Sequence, residues 1–216
     1  PKICTVITTK DEKDIAAATS LTDFFEVRID LIGRGWQKLA KSLTKPWIAT
    51  NRPRQEGGHW KGDEESRIKE LYKAGKIGAS IIDIELRTKG LAEIVELIKR
   101  HSRCMISIHD FSKTPTLPQL VKTVEKQLQS SADICKVVTT AVKMDDNMTV
   151  LSLIRHFSAN EMVSFAMGKE GRLSRILCPM VGGTFSFASL KAGAESATGQ
   201  LSVDELSKIY GVVKID

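Results

Sequence analysis

The most constraining feature of this sequence is a repeat of short apolar segments rich in β-branched residues, separated by amphipathic stretches with helical spacing. Eight such segments occur in the 216-residue chain, and each is short enough for one β-strand. They are Ile3–Thr8, Phe24–Asp30, Trp47–Arg52, Ile81–Leu86, Cys104–His109, Ile134–Thr140, Met162–Met167 and Thr184–Leu190.

Helical periodicity fills nearly every gap between these segments and follows the last one. The predicted helices are Asp11–Ser20, Trp36–Leu43, Glu65–Ala74, Leu91–Arg100, Leu117–Leu128, Asn147–Phe157, Gly171–Leu177 and Val203–Tyr210. Ser202 and Glu205 have the spacing of a capping box that opens the last helix. A helix between consecutive strands makes a crossover, so the strands should be parallel. The pattern predicts an α/β fold, a (β/α)₈ barrel, as one domain over residues 1–216.

Composition places the chain among ordinary globular proteins, with 42% hydrophobic and 27% charged residues. No apolar run approaches the roughly 20 residues of a membrane span, and the first residues lack a signal-peptide pattern. We therefore expect a cytoplasmic protein without a membrane partner. Cys4, Cys104, Cys135 and Cys178 are scattered in apolar contexts, which predicts reduced core thiols and not metal ligands.

The formal net charge of +6 fits either a nucleic-acid binder or an enzyme for an anionic substrate. The basic residues are dispersed along the chain, and aromatic residues make up only 6% of it. A nucleic-acid surface needs clustered Lys and Arg, with aromatic side chains where bases stack. The sequence therefore favours the enzyme and predicts no nucleic-acid partner.

Charged residues interrupt several predicted strands that should be apolar on both faces in a sheet covered by helices. The charged positions in or next to the second, fourth and sixth segments are Glu26, Arg28, Asp30, Asp83, Glu85, Arg87 and Lys136. Burying an unpaired charge costs about several kcal/mol. We therefore expect these side chains to point into the barrel lumen or its C-terminal mouth, paired with one another or with a polar ligand.

Lys136 carries the most informative of these charges. Burial lowers the pKa of an amine, and a neutral amine can attack a ketone to form an iminium that activates the neighbouring C–H bond without a metal. A lysine that snorkels to the surface or pairs with a carboxylate is the alternative.

His109 ends the fifth segment, where barrel enzymes keep catalytic groups, and an imidazole pKa of about 6.5 suits proton transfer in both directions. A histidine that only caps the following loop is equally compatible with the pattern. His59, His101 and His156 stand in a loop or on helices, so we assign them no chemistry.

Glycine-containing segments follow the late strands, at residues 167–175 and 182–183. Such segments hold phosphate in many barrels, and a carboxylate fits as well because Arg175 offers a two-pronged donor. No Walker or dinucleotide motif is present, which argues against a nucleotide. Gly193 and Gly199 flank a polar segment that we expect to close as a lid.

In combination, these motifs resemble type I 3-dehydroquinate dehydratase over essentially the whole chain. The matching segments, in the family's order, are 26–30, Arg52 with 56–58, 83–86, 107–111, 133–136, 167–175 and 196–200. The resemblance implies a (β/α)₈ barrel of the shikimate pathway that is a homodimer and needs neither a metal nor an organic cofactor. Because the sequence ends after the barrel, we expect no fused shikimate dehydrogenase.

The resemblance also implies roles for individual residues. Lys136 would form a Schiff base with the C3 ketone of 3-dehydroquinate, His109 would act as general acid and base, and Glu56 would orient that histidine. The residues implied for substrate binding are Glu26, Arg28 and Arg52 at the ring hydroxyls, Arg175, Ser196 and Gln200 at the carboxylate, and Met167 against the ring.

Two positions depart from the family pattern. Thr198 replaces a proline in the lid motif, and Phe165 stands where many relatives carry a second methionine. Both changes should affect binding more than bond breaking. The remaining alternative is another Schiff-base barrel lyase, such as a class I aldolase acting on a phosphorylated sugar.

Overall fold

Strands and helices alternate along the computed structural model, which describes residues 1–213. The strands are β1 (Ile3–Ile7), β2 (Phe24–Arg28), β3 (Trp47–Thr50), β4 (Ile81–Glu85), β5 (Arg103–His109), β6 (Ile134–Thr140), β7 (Met162–Met167) and β8 (Ser186–Ser189). The helices are α1 (Glu12–Ala18), α2 (Ile29–Ile32), α3 (Trp36–Ser42), α4 (Glu64–Lys76), α5 (Leu91–Lys99), α6 (Leu117–Gln129), α7 (Asp146–His156), α8 (Arg172–Leu177) and α9 (Val203–Val212). Every predicted strand and helix overlaps one of these.

The strands form one parallel sheet in which each strand pairs with its neighbour in sequence, from β1 to β7, and β8 pairs with β1. The strands β7 and β8 lie at the two ends of this order. The backbone N–H of Thr184 donates to the carbonyl of Met162 at 2.7 Å across that seam. The sheet is therefore a nearly closed (β/α)₈ barrel in a single domain, which confirms the predicted fold class. The predicted domain end at residue 216 lies outside the described residues.

Strand alternation divides the core into two parts. Phe25 and Val27 of β2 are fully buried beneath the surrounding helices. A second cluster, which includes Val6 and Phe165, fills the barrel interior. Successive side chains of a strand point to opposite faces. Glu26 and Arg28, which alternate with Phe25 and Val27, must therefore face the lumen.

Several predicted strand bounds were wrong, most clearly the ends of β2 and β3 and the start of β8, which begins at Ser186, two residues after its predicted start at Thr184. β2 ends at Arg28, and Asp30 lies on the short helix α2, where its carboxylate accepts hydrogen bonds from the Arg28 side chain at 2.9 and 2.7 Å. β3 ends at Thr50, two residues before its predicted end at Arg52. At the end of β2 the Arg28 side chain is held by Asp30 of the following helix, whereas Arg52, in the loop after β3, reaches back to Asp83 and Glu85 of β4.

Arg87 agrees with the expectation that its side chain points into the lumen or out of the C-terminal mouth. It follows the end of β4, its side chain is 68% exposed, and its guanidinium lies 3.6 Å from a carboxylate oxygen of Glu56. The last helix agrees with its predicted start. The Ser202 hydroxyl accepts from the Glu205 N–H, and the Glu205 side chain accepts from the Ser202 N–H at 2.8 Å.

Among residues 1–213, none of the helices combines the length and the apolar character that crossing a membrane requires.

Candidate active site

A pocket of about 530 Å³ opens at the C-terminal ends of the barrel strands. Ten of its lining residues are those singled out from the sequence, and they come from six strands or from the segments that follow them. They are Glu26, Arg28, Arg52, Glu56, His109, Lys136, Met167, Arg175, Ser196 and Gln200. The fold therefore brings every predicted site residue to one pocket.

Lys136 projects into this pocket from the third position of β6, and only 4% of its surface is exposed. Its Nζ lies 2.9 Å from Oδ2 of Asp83 and 3.8 Å from Oε1 of Glu26. It also lies 4.2 Å from the ring centroid of Phe187. These contacts exclude snorkelling to the surface, and they show that the lysine is paired with a carboxylate inside the lumen.

Asp83 is the centre of the hydrogen bonds beneath Lys136. Its Oδ2 accepts from Arg52 at 2.6 Å, and its Oδ1 accepts from the Ser107 hydroxyl at 2.5 Å. Arg52 donates further to Ser107 and to Glu85, both at 2.7 Å. Burial by itself raises the pKa of Asp83, but the positive charges of Arg52 and Lys136 hold that pKa below its ordinary value. Asp83 is therefore an ionised anchor for both cations.

A second arginine extends this network out of the barrel. Arg67 on α4 is 1% exposed and lies within 2.7 Å of carboxylate oxygens of both Glu85 and Glu64. Burial raises the pKa of Glu85, against the lowering effect of Arg52 and Arg67. Since breaking a buried ion pair leaves an uncompensated charge, the network constrains the positions of its members.

His109 ends β5, and its imidazole faces Glu56. Oε2 of Glu56 accepts from the His109 backbone N–H at 3.0 Å and lies 3.1 Å from Nδ1 of the ring. Because a carboxylate only accepts hydrogen bonds, this contact assigns the ring proton to Nδ1 and leaves Nε2 as the basic atom. Burial, reinforced by the charges of Arg52 and Lys136, lowers the pKa of His109 well below its ordinary value. The imidazole is therefore neutral at neutral pH.

The turn after β3 delivers Glu56 to this position. Residues Arg54–Glu56 form one 3₁₀ turn, and the Glu56 carboxylate is buried enough that its pKa is raised. Just after this turn, Gly58 packs directly on the backbone of Arg52. A Cβ on Gly58 would lie 1.9 Å from the carbonyl oxygen of Arg52. Only glycine allows that approach without a backbone shift.

Glu26 and Arg28 reach the pocket from β2. Oε1 of Glu26 accepts from the Thr50 hydroxyl at 2.7 Å, and Arg28 is held by its two hydrogen bonds to Asp30. Both side chains are thus fixed at the rim of the pocket before any ligand binds.

Arg175 on α8 is a buried cation without a carboxylate partner among the described residues. It is 2% exposed, its Nε has no hydrogen-bond partner, and its NH2 donates only a long hydrogen bond, 3.4 Å, to the carbonyl of Thr198. Burial lowers the pKa of this guanidinium to about 10, so it stays charged at neutral pH. A buried, unpaired cation with free N–H groups is suited to binding an anion.

The polar segment after β8 lies against the same side of the pocket. Oε1 of Gln200 accepts from both the backbone N–H and the hydroxyl of Ser196, at 2.8 and 3.1 Å. Gly199 has φ +79°, and a Cβ there would lie 2.3 Å from the carbonyl oxygen of Gly168. Glycine is required because the segment packs so closely on the loop after β7.

Asp83, Ser107, Thr50 and Phe187 contribute to the site but were not predicted as site residues. The alternation in β4 placed Asp83 among the lumen charges, yet nothing in the sequence paired it with Lys136. Ser107, Thr50 and Phe187 carry no such signal, because a small polar or aromatic residue on a strand is compatible with any face.

Within residues 1–213, no group of three or more His, Cys, Asp or Glu side chains is arranged to hold a metal ion. Independence from metals and organic cofactors stays a prediction.

Comparisons with known proteins agree with this geometry. The family model described as type I 3-dehydroquinase matches residues 3–216. A 3-dehydroquinate dehydratase of Dehalococcoides mccartyi is 40% identical over 216 residues, which cover 100% of this chain and 97% of the relative. One from Methanocaldococcus jannaschii is 36% identical over 199 residues, 90% of this chain and 89% of the relative.

The fold is also that of a solved type I 3-dehydroquinate dehydratase from Clostridium difficile. The TM-score is 0.83 at 24% identity, with 99% of this chain and 92% of the other chain covered. At that identity the likeness supports the fold, while the family match and the relatives carry the assignment. This chain belongs to the type I 3-dehydroquinase family.

Proposed function

We propose that this protein is a 3-dehydroquinate dehydratase, which removes water from 3-dehydroquinate to give 3-dehydroshikimate. One observation carries the proposal. A buried lysine, a neutral histidine and an unpaired arginine, Lys136, His109 and Arg175, line the same small pocket. They supply the nucleophile, the base and the anion-binding group that elimination of water from a keto acid requires.

The first step is condensation of the Lys136 amine with the C3 ketone. The nitrogen gives up two protons to the ketone oxygen, which leaves as water, and keeps the third, so that a protonated imine joins substrate and lysine. An imidazole is far too weak a base to take a proton next to an ordinary ketone. The positive imine makes that C2 proton acidic, because its loss gives a neutral enamine, so the lysine must act first.

The second step is proton transfer by His109. Nε2 takes the C2 proton, and the resulting enamine expels the C1 hydroxyl, which leaves as water after receiving a proton from the imidazolium. The imine is then hydrolysed, which returns Lys136 as a free amine and releases the product. Glu56 keeps the ring proton on Nδ1 throughout, so that Nε2 faces the substrate.

The remaining pocket residues are proposed to bind the substrate. Arg175, with Ser196 and Gln200, takes the carboxylate, while Met167 packs against the ring. Glu26 and Arg28 take ring hydroxyls. Arg52 already donates three hydrogen bonds inside the barrel, which leaves two of its five N–H groups for a hydroxyl.

Borohydride trapping tests the proposal. With 3-dehydroquinate present, reduction should inactivate the enzyme irreversibly and leave the added mass on Lys136 in a peptide map. His109→Ala should still accumulate the trapped imine but lose turnover, while Lys136→Ala should lose both. Without borohydride, the enzyme should convert 3-dehydroquinate to conjugated 3-dehydroshikimate. The ultraviolet absorbance of this product measures the reaction.

A label on another residue, or full turnover without any label, would overturn the lysine mechanism. Cleavage of a phosphorylated ketose, with 3-dehydroquinate left intact, would instead favour the class I aldolase.

We also propose that the enzyme is a cytoplasmic homodimer, as the resemblance implies. Large apolar side chains are exposed where the loop after β6 meets α7 and α8, and they are Val142, Met144, Met148 and Leu173. Lys143 and Asp145, of opposite charge, stand beside them, and a twofold axis through this surface would bring the lysine of each copy towards the aspartate of the other. Four buried, unpaired cysteines support a reducing compartment.

A further inference from the structure

Two aromatic rings lie between Arg175, the cation without a carboxylate partner, and Lys136. The Arg175 guanidinium lies 4.4 Å from the ring centroid of Phe165, and Lys136 Nζ lies 4.2 Å from that of Phe187. The two rings contact each other edge to face, with centroids 6.1 Å apart and planes at 63°. All four side chains are at most 4% exposed.

The position of this ring pair is fixed by the barrel. Phe165 lies on β7, in register with Val138 of β6, and Phe187 lies on β8. These are the two strands at the ends of the hydrogen-bonded order, so the ring contact bridges the seam of the barrel. A ring held by strand backbone moves less than a group on the polar segment after β8.

Phe165 replaces the carboxylate that a buried arginine would otherwise need. The face of an aromatic ring attracts a cation, most strongly where water is excluded. A guanidinium whose flat face lies against a ring keeps the N–H groups along the guanidinium edge free. Consistent with this, Nε of Arg175 has no hydrogen-bond partner. The edge is the part that a carboxylate binds.

We infer that Phe165 is a specificity-determining residue, which positions Arg175 so that the pocket selects keto acids by the separation between carboxylate and ketone. The Phe165–Phe187 pair sets the spacing between the anion-binding guanidinium and the carbonyl-attacking amine. The inference rests on the proposed function, since it assigns the carboxylate of that substrate to Arg175. Phe165 is a positioning residue and takes no part in bond breaking.

The test replaces the ring without changing its volume much. Phe165→Met should raise KM for 3-dehydroquinate about 3- to 30-fold, the affinity equivalent of one cation–π contact. kcat should stay within about 2-fold, because Lys136 and His109 are untouched. Arg175→Ala should raise KM further, while Arg172→Ala, an exposed arginine on the same helix, should leave it unchanged.

Phe24→Met is the matched control. Phe24 also carries a cation over its ring, Lys2 Nζ at 5.8 Å, but it lies at the opposite end of the barrel from the pocket. Loss of this ring should leave KM unchanged. If Phe165 only fills space, Phe165→Met should also leave KM unchanged. Equal KM values in Phe165→Met and Phe24→Met would therefore overturn the inference.

The side-chain Nε–H resonance of Arg175, identified by its loss in Arg175→Ala, is a second readout. The ring should shift its proton signal upfield in the wild-type protein. Phe165→Met, or Phe165→Leu if that variant does not fold, should remove the shift, and Phe165→Tyr should retain it. An unchanged resonance without the ring would contradict the inference. Borohydride labelling of Phe165→Met in the presence of 3-dehydroquinate separates failure of this inference from failure of the proposed function. A label on Lys136 means that the proposed lysine chemistry stands, whatever the KM of the variant.

Discussion

At the scale of single residues, the chemistry depends on which protonation state each environment stabilises. His109 is largely shielded from solvent, lies near two cations and contacts one carboxylate through Nδ1. Desolvation and the cations both disfavour the imidazolium, so the ring is poised as a base and becomes cationic only when it has taken a proton from the substrate. Arg175 remains cationic because even its lowered pKa of about 10 lies above neutral pH.

The lowered pKa of His109 predicts the acidic side of the pH profile. A protonated imidazole cannot take the C2 proton, so kcat/KM should fall as the pH drops through the pKa of His109 in the free enzyme. Since that pKa is lowered, the fall should occur below pH 6.5, the ordinary value. The measurement is kcat/KM against pH, with circular dichroism at each pH to separate titration from unfolding. A limb centred at or above pH 6.5 in a folded enzyme would contradict the assignment.

At the scale of elements, short strands set the direction of each side chain and helices hold the strands in place. The alternation in β2 sends Glu26 and Arg28 inward while Phe25 and Val27 pack under helices. Helix α6 also fixes β6 directly, because the buried side chain of Gln127 donates to the carbonyl of Lys136 at 3.0 Å. The lysine is thus held through its backbone as well as its amine.

The capping box of α9 gives an element-scale prediction. Ser202→Ala removes the hydroxyl that accepts from Glu205, which should lower the free energy of unfolding by about 1 kcal/mol. The loss should appear as a lower urea midpoint with activity retained, because neither Ser202 nor Glu205 lines the pocket. Ser158→Ala, an exposed serine outside the caps, is the control. Equal midpoints for the two variants would mean that the cap contributes nothing.

At the scale of the whole molecule, the barrel gathers charges that are far apart in the chain. The contacts of Lys136 with Asp83 and of His109 with Glu56 each join residues 53 positions apart. Each charge can be buried because the closed sheet brings a partner to it, and the pocket is the place where one cation is left without a carboxylate. Binding a carboxylate would complete that set.

The proposed dimer gives a prediction at this scale. Light scattering of the purified protein should give about twice the 23.8 kDa mass of one chain. Met148→Glu should lower it to the mass of a monomer, because a charge is then buried in an apolar interface. Lys169→Glu, on the neighbouring loop after β7, is the control. It adds negative charge without changing an apolar side chain, so the mass should stay that of a dimer. A monomeric wild-type protein, or a dimer unaffected by Met148→Glu, would contradict this surface.

Much of the fold followed from local patterns. Strand and helix positions were predicted because apolar periodicity reflects burial along each element, and every strand overlaps its prediction. The ends of β2 and β3 were not predicted, because apolar periodicity does not register side-chain contacts such as those of Arg28 with Asp30 and of Arg52 with Asp83. Residue type and strand position pointed to Lys136 and His109, and the family resemblance supplied the remaining site residues.

What the sequence by itself determined is the order of elements, the inward direction of the strand charges and the kinds of groups that meet at the mouth of the barrel. Only the tertiary structure decided the contacts of Asp83 with Lys136 and of the Phe165 ring with Arg175, and it identified Nδ1 as the atom of His109 that Glu56 contacts. The physical reason is that alternation along a strand is a local property of the backbone. A contact between strands depends on how the whole sheet closes.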